Sequence, residues 1–247
     1  MSGPFSLEGR VAMVTGANTG LGQAIAMALA RAGADIVAVG RTAPAETEAQ
    51  VTALGRGFRA VQADLGDVGS IPEVAEAAGP VDILVNNAGI IRRADALDFT
   101  EADWDAVMDV NLKSAFFLTQ AVARPMVERG RGKVVNIASM LSFQGGIRVA
   151  SYTASKSGIA GLTKLLANEW AAKGVNVNAI APGYFATNNT AALQADESRN
   201  RDILARIPAG RWGRPDDLGG AAVFLASSAA DYVHGTVIPV DGGWLAR

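Results

Sequence analysis

Short apolar runs alternate with longer segments of helical periodicity along this chain. Several of the runs are apolar at every position, which is typical of parallel strands covered by helices on both faces. The predicted strands are Val11–Thr15, Ile36–Val39, Phe58–Gln62, Ile83–Asn86, Lys133–Ile137, Val175–Ile180 and Thr236–Val240, and the clearest helical stretches are Gln23–Arg31, Ala102–Val127, Tyr152–Ala172 and Asp216–Ala226. This alternation predicts an α/β fold of the Rossmann type, a doubly wound parallel sheet of about seven strands with helices on both faces.

The organisation of the chain favours one domain over residues 1–247. Its 247 residues fit the size of a single α/β domain, and no Pro/Ser-rich linker or internal repeat divides them. The segment 187–211 is polar and lacks strand signals. We expect it to form a mobile lid over a site.

Composition and charge exclude several classes of protein. The formal net charge of −2 offers no general attraction for nucleic acid or an anionic membrane. The absence of cysteine excludes disulfides and thiolate metal sites. Neither a signal peptide nor a run of roughly 18 apolar residues is apparent, so a cytoplasmic protein is expected.

A glycine-rich turn follows the first predicted strand. Gly16, Gly20 and Gly22 form the spacing G-x-x-x-G-x-G directly before a helical run. Glycines at this junction permit a tight turn and let the backbone N–H groups approach a pyrophosphate at the helix N-terminus. The alternative is a tight connection with no ligand, but the position at the first strand–helix turn favours nucleotide binding.

The end of the second strand bears on the choice of coenzyme. A ribose-binding acid is expected about 20 residues after the glycine turn in NAD sites, whereas an arginine accommodates the 2′-phosphate of NADP. Here the chain reads Val39-Gly40-Arg41-Thr42, without an acid. Arg41 and the Thr42 hydroxyl therefore favour NADP; alternatively Arg41 is an exposed loop residue that stacks on adenine and leaves NAD acceptable.

Three polar positions suggest a reaction centre. Ser139 ends the fifth strand, and Tyr152 and Lys156 stand four residues apart, on one face of a helix. A nearby ammonium group lowers the pKa of a phenol, which predicts an acid/base that works near neutral pH. The pair also fits an ordinary surface helix, but the small residues around it, Ala154, Ser155, Ser157 and Gly158, favour close approach of a ligand.

These motifs carry a family resemblance over essentially the full chain. The glycine segment TGANTGLG at 15–22, Asn86-Asn87-Ala88-Gly89, Asn111, Ser139, Tyr152-x-x-x-Lys156 and Pro182-Gly183 stand in the order and spacing of the short-chain dehydrogenases/reductases, which this chain resembles. The resemblance implies an NAD(P)-dependent oxidoreductase that acts on a CH–OH group and needs no metal. The solitary His234 is expected to be structural.

The resemblance also implies roles for individual residues. Tyr152 would donate or accept the proton, Ser139 would orient the substrate, and Lys156 would hold the nicotinamide ribose and lower the pKa of Tyr152. Asn111 would keep a water that links Lys156 to a proton relay. With the residues of the two turns described above, the predicted cofactor contacts are Gly16, Asn18, Thr19, Gly20, Leu21, Gly22, Arg41, Thr42, Asp64, Leu65, Asn87, Ala88, Gly89, Tyr152, Lys156, Pro182, Gly183 and Thr187.

Longer stretches around the expected pocket indicate the substrate class. NNAGIIRR at 86–93, SMLSFQGGIRVASYTASK at 139–156 and APGYFATNNT at 181–190 resemble the family's dehydrogenases of deoxy sugar acids, of the 2-deoxy-D-gluconate or 2-keto-3-deoxy-D-gluconate type. A guanidinium group holds a carboxylate in bidentate fashion, so Arg93 and Arg148 are favoured over Arg92 for the acid. Ser142, Gln144 and Tyr184 are suited to hydrogen-bond hydroxyl groups of the substrate. The predicted substrate contacts are Arg93, Ser139, Gln144, Arg148, Tyr152 and Tyr184.

Several alternatives stay open at this point. The arginines also fit solvated rim charges or subunit contacts, and the sugar-acid group favours NAD, unlike Arg41. A 3-ketoacyl-carrier-protein reductase is the rival enzyme, and a catalytically silent nucleotide-binding protein is the rival of another class. The resemblance further implies a homotetramer built through the long helices at 102–127 and 152–172 and the C-terminal segment.

Overall fold

The computed structural model describes residues 3–247. Seven parallel strands form one sheet in the order β3-β2-β1-β4-β5-β6-β7. The order reverses beside β1, which is the topological switch point where a doubly wound sheet binds its ligand. The strands are β1 (Val11–Thr15), β2 (Asp35–Gly40), β3 (Phe58–Gln62), β4 (Ile83–Asn86), β5 (Gly132–Ile137), β6 (Val175–Pro182) and β7 (Val237–Val240).

Helices cover both faces of the sheet. Alternate residues of β1 and β2 enter two separate cores, one formed with α1, α2 and α9 and the other with α3, α5 and α6. The helices are α1 (Gly20–Arg31), α2 (Ala45–Ala53), α3 (Ile71–Ala78), α4 (Glu101–Met108), α5 (Ser114–Glu128), α6 (Ala150–Trp170), α7 (Ala191–Ala195), α8 (Glu197–Arg206) and α9 (Gly219–Ala226). No helix within residues 3–247 is long and apolar enough to cross a membrane.

The fold class predicted from the sequence is confirmed, and the strand bounds differ by at most two residues. The first helix begins at Gly20 instead of Gln23, because the glycine turn itself forms the first turn of α1. The stretch expected as a helix from Asp216 begins as a 3₁₀ turn at Pro215–Leu218 and becomes α-helical only at Gly219. The segment 187–211 holds no strand and consists of a 3₁₀ turn, α7, α8 and the connections between them.

The helix expected over Ala102–Val127 is interrupted. A π-helical turn, Asp109–Lys113, separates α4 from α5. Such turns are rare and insert one residue into the helical spiral, which changes the direction in which its side chains point. Asn111 lies in this turn and is buried, with 2% of its surface exposed.

Candidate active site

A large cavity of about 1140 Å³ lies at the carboxyl ends of the strands. It brings together most of the residues predicted from the sequence. Those that line it are Gly16, Asn18, Thr19, Gly20, Leu21, Gly22, Asn87, Ala88, Gly89, Arg93, Ser139, Gln144, Arg148, Tyr152, Lys156, Pro182, Gly183, Tyr184 and Thr187. Five predicted residues, Arg41, Thr42, Asp64, Leu65 and Asn111, do not line it.

The glycine turn has the geometry of a phosphate cradle. Gly16 and Gly20 have positive φ angles of 67° and 59°, which side chains with a Cβ rarely adopt. A Cβ at Gly22 would lie 2.2 Å from the Gly16 carbonyl oxygen, so only glycine permits this contact. Thr19 precedes α1 without a side-chain cap, and the first turn carries no acid. The Gly16 N–H donates to the Val39 carbonyl at 2.7 Å, but the first N–H groups of α1 have no capping side chain among residues 3–247, so they can bind a phosphate and the residues fit a dinucleotide.

Thr15 and Asn87 hold the glycine turn against β4. The Thr15 hydroxyl accepts hydrogen bonds from the backbone N–H groups of Asn87 and Ala88, at 3.0 and 2.9 Å. The Asn87 side-chain amide donates to the Thr15 carbonyl at 2.9 Å. Sequence reasoning missed Thr15, although a polar residue that ends an otherwise apolar strand was a usable signal.

The residues after β2 and β3 are more exposed than the glycine turn. The Asn18 amide donates to the Thr42 hydroxyl at 2.9 Å, which ties the end of β2 to the glycine turn. Arg41 and Asp64 are exposed. The Asp64 carboxylate accepts from the Gly66 N–H at 2.9 Å, so it caps its own turn, and Leu65 is buried. Their contacts with a cofactor stay predictions.

Asn111 positions the backbone of the loop after β4. Its side-chain oxygen accepts from the Ile90 N–H at 2.8 Å, and its amide donates to the Ile90 carbonyl at 2.9 Å and to Ser155 at 3.3 Å. A Cβ added to Gly89 would stand 3.2 Å from the Asn111 oxygen. Asn111 thus acts on the cavity through the Gly89–Ile90 backbone, and the water relay stays a prediction.

Ser139, Tyr152 and Lys156 converge at the floor of the cavity. The Lys156 ammonium donates to the Ile137 carbonyl at 2.6 Å and lies 5.7 Å from the centre of the Tyr152 ring. Lys156 is 4% exposed, and burial lowers its pKa to about 8. The amine therefore remains largely protonated at neutral pH. Among residues 3–247, the Ile137 carbonyl is its only hydrogen-bond acceptor.

The pKa of Tyr152 differs from the expectation. We expected the lysine to lower it, but burial raises the pKa of the phenol above its ordinary value, because a buried tyrosinate loses its hydration. The Ser139 hydroxyl and the Arg93 guanidinium oppose this rise and lower the pKa. In the protein without a bound ligand, Tyr152 is therefore a protonated acid at neutral pH.

The three arginines proposed from the sequence have different surroundings. Arg92 forms an ion pair with Asp103 at 3.2 Å and does not line the cavity. Arg148 lines it, with a positive φ of 63°, but its guanidinium pairs with Asp95 at 3.2 Å. Arg93 lines the cavity and has no carboxylate within ion-pair distance among residues 3–247. Ser142 donates to the Lys156 carbonyl at 2.6 Å and does not line the cavity.

Segment 187–211 and the C-terminal segment contribute residues that sequence reasoning missed. Arg199 and Arg206 of α8 and the C-terminal Trp244 line the same cavity as Tyr152. The spacing of Arg199, Ile203 and Arg206 places them on one helical face, which was a usable signal. Trp244 offered none, because its neighbours in space are distant in sequence.

No group of three or more potential metal ligands occurs within residues 3–247. His234 does not line the catalytic cavity; its Nε2 lies 3.2 Å from the Asn176 amide, near the start of β6.

Comparison with known proteins agrees with this arrangement. The profile of the family described as short chain dehydrogenase matches residues 10–198. The 2-dehydro-3-deoxy-D-gluconate 5-dehydrogenase of Escherichia coli (strain K12) is 63% identical over 98% of both chains. A crystal structure from Agrobacterium tumefaciens, described provisionally as a 2-deoxy-D-gluconate 3-dehydrogenase with bound NADP, is 65% identical over 99% of both chains, with a TM-score of 0.95.

A more distant solved structure holds both a cofactor and an acid. It is a gluconate 5-dehydrogenase from Burkholderia cenocepacia J2315 in complex with NADP and tartrate. It is 40% identical, covers 99% of this chain and 98% of its own, and has a TM-score of 0.93.

Proposed function

We propose, from the premise that this chain belongs to the short-chain dehydrogenase family, that its substrate is a deoxy sugar acid of the 2-dehydro-3-deoxy-D-gluconate type. The family membership and the high-identity relatives make the chain an NAD(P)-dependent oxidoreductase that acts on CH–OH groups. The observation that carries the proposal is that Arg93, Arg199 and Arg206 line the cavity that holds Tyr152 and have no carboxylate within ion-pair distance among residues 3–247. An anionic substrate supplies the missing partner, whereas a neutral ketone leaves these charges unpaired.

Proton transfer takes place at the floor of the cavity, where Ser139, Tyr152 and Lys156 lie. When bound, the nicotinamide supplies or accepts the hydride. Tyr152, protonated in the free protein, donates its proton to the carbonyl oxygen in the direction of reduction. Ser139 holds the same oxygen, and its hydrogen bond also favours the tyrosinate that remains. The nearby Lys156 ammonium stabilises that anion further.

We propose NADP as the preferred coenzyme. The glycine turn fits a dinucleotide of either kind, so the preference rests on the end of β2, where Arg41 and Thr42 stand instead of an acid. The bond from Asn18 to Thr42 places this segment beside the glycine turn. NADP is also bound in the solved relatives from A. tumefaciens and B. cenocepacia.

The substrate proposal is tested by comparing two classes of ketone with NADPH. We expect rapid reduction of the 5-keto form of 2-keto-3-deoxy-D-gluconate and turnover at least about 100-fold slower, in kcat/KM, of an acetoacetyl thioester, since the thioester lacks a carboxylate. A preference for the thioester would instead support a 3-ketoacyl reductase. Equal, slow rates for wild type and Tyr152→Phe would support a silent nucleotide-binding protein.

We further propose that segment 187–211 moves as a lid.

We also propose that the protein is a homotetramer. The long helices α5 and α6 carry Phe117 and Leu165, which are 38% and 47% exposed. Burial of these side chains in a subunit interface is favourable. Light scattering on the eluted protein tests the assembly, and a monomer at micromolar concentration would refute it. The cytoplasmic location stays a prediction from the sequence.

A further inference from the structure

We propose that Arg206 of the lid helix α8 binds the substrate carboxylate and so determines which carbon of the sugar acid reaches Tyr152. This inference rests on the function proposed above and names the residue that selects the acid. Arg206 is absent from the residues that the sequence singled out, and it lines the same cavity as Tyr152.

One face of α8 is turned toward the cavity. Arg199, Ile203 and Arg206 follow one another at intervals of four and three residues, which places them on the same side of the helix. Ile203 is buried in a cluster with Met140 and Trp244, and this contact fixes the rotation of the helix. Because Ile203 faces inward, the two arginines beside it lie at the cavity wall.

The Arg206 guanidinium group stacks on the Trp244 ring, and its N–H groups remain available for hydrogen bonds. Its guanidinium carbon lies 4.1 Å from the centre of the Trp244 ring, a stacking arrangement that restricts the side chain. No carboxylate lies within ion-pair distance of Arg206 among residues 3–247. A planar guanidinium stacked on one face still presents its N–H groups at the edge, as bidentate recognition of a carboxylate requires.

Trp244 is itself fixed from several sides. It is 4% exposed, its indole N–H donates to the Gln144 side chain at 3.3 Å, and the Tyr184 ring lies 4.8 Å away. The C-terminal segment is also joined to the lid. The Ala209 N–H donates to Gly242 at 2.9 Å, and Arg247 donates to Ala205 at 2.7 Å. The platform under Arg206 therefore connects the lid with the loop after β5.

The other cavity arginines are less suited to a carboxylate far from the reacting carbon. Among residues 3–247, Arg199 lacks the stacking on Trp244 that holds Arg206. Arg148 already pairs with Asp95 at 3.2 Å. Arg93 lies close enough to Tyr152 to lower the pKa of its phenol, so it stands at the reacting end of the cavity. A carboxylate on Arg206 leaves the carbon chain extended between the lid and the floor. The carbon presented to Tyr152 is then remote from the acid group.

The experiment compares the oxidation by NADP⁺ of 2-dehydro-3-deoxy-D-gluconate and of its primary amide in four proteins: wild type, R206Q, R206K and R201Q. We expect R206Q to raise KM for the acid by about 30- to 100-fold with little change in kcat, because a charge-assisted pair is lost. KM for the amide should change less than about twofold, and R206K should recover part of the loss. R201Q is the control, since Arg201 is exposed on the same helix, pairs with Asp202 at 3.7 Å and does not line the cavity.

Two further measurements make the result decisive. NADPH affinity, measured by fluorescence, should be the same in wild type and R206Q; a parallel loss of cofactor binding would overturn a substrate-specific role. An unchanged KM for the acid in R206Q, with a large increase in R93Q, would place the carboxylate on Arg93 and refute the inference. If wild-type protein converts neither sugar-acid probe, the proposed function itself fails, which is a distinct outcome.

Discussion

The catalytic floor and the cationic rim of the same cavity are held in different ways. We define the floor as the glycine turn, Ser139, Tyr152 and Lys156, and the rim as Arg93, Arg199 and Arg206. Floor groups are anchored by backbone contacts, such as the 2.6 Å bond from Lys156 to the Ile137 carbonyl. Rim groups are exposed guanidinium groups at the ends of long side chains. The groups that carry out the reaction therefore belong to the edge of the sheet. On the proposed function, the substrate is selected by the long arginine side chains of the rim.

This difference predicts unequal effects of mutation. Loss of a floor group should remove the reaction or distort the fold, because no neighbouring group replaces it. Loss of a rim arginine should raise KM with little change in kcat. Loss of an outlying charge such as Arg41 should change affinity least, since exposed charges are partly screened by solvent.

The largest effect is expected for Tyr152→Phe. Removing the phenolic hydroxyl removes the proton donor, and we expect kcat to fall by about 10³-fold while NADPH affinity stays unchanged. Nicotinamide absorbance and fluorescence titration measure the two quantities. A loss below about tenfold would show that another group transfers the proton.

The next effect is expected for Gly22→Ala. The new Cβ would lie 2.2 Å from the Gly16 carbonyl oxygen, so the turn must shift away from its phosphate-binding geometry. We expect about 100-fold weaker NADPH binding and a loss of roughly 1–3 kcal/mol in unfolding free energy. The control is Gly220→Ala, also in the first turn of a helix, where nothing lies within 4 Å of the added Cβ. The control should be neutral or slightly stabilising; equal effects of both variants would contradict the role of the turn.

A smaller effect, on the free energy of unfolding, is expected for Lys156→Met. Burial lowers the pKa of Lys156 from 10.5 to about 8, so its charge destabilises the folded protein fully below pH 8, and this cost disappears as the pH rises toward 10.5. The methionine variant should therefore be more stable at pH 7, by at most roughly 3 kcal/mol, although it is catalytically impaired. The advantage should shrink between pH 8 and 10.5. An advantage that grows with pH in chemical denaturation would show that the cited pKa has the wrong direction.

The smallest effect is expected for Arg41→Ala. An exposed arginine that meets the 2′-phosphate of NADPH contributes about 1 kcal/mol, which is about fivefold in affinity. Binding of NADH should change less than twofold. Equal losses for both coenzymes would mean that Arg41 stacks on the adenine and does not select NADP.

The fold and the floor were predictable because their signals are local. Apolar strands of four to six residues, the spacing Gly16–Gly20–Gly22 and the four-residue interval from Tyr152 to Lys156 are all visible directly in the sequence. The π-turn at Asn111 was not predictable, since its helical periodicity is continuous with that of α5. The contact of Arg206 with Trp244 joins residues that are far apart in sequence, so no local pattern indicates it. The raised pKa of Tyr152 depends on burial, which only the assembled structure defines.

The central claim is that Tyr152 serves a hydride transfer to a sugar acid whose carboxylate lies away from the reacting carbon. The most direct test uses NADPH labelled with deuterium at the transferable position, with the 5-keto form of 2-keto-3-deoxy-D-gluconate as acceptor, and locates the label by NMR. We expect deuterium at C5 of the sugar acid with the wild-type protein and labelling about 10³-fold slower with Tyr152→Phe. Label at a carbon next to the carboxylate, or equal labelling by both proteins, would contradict the account.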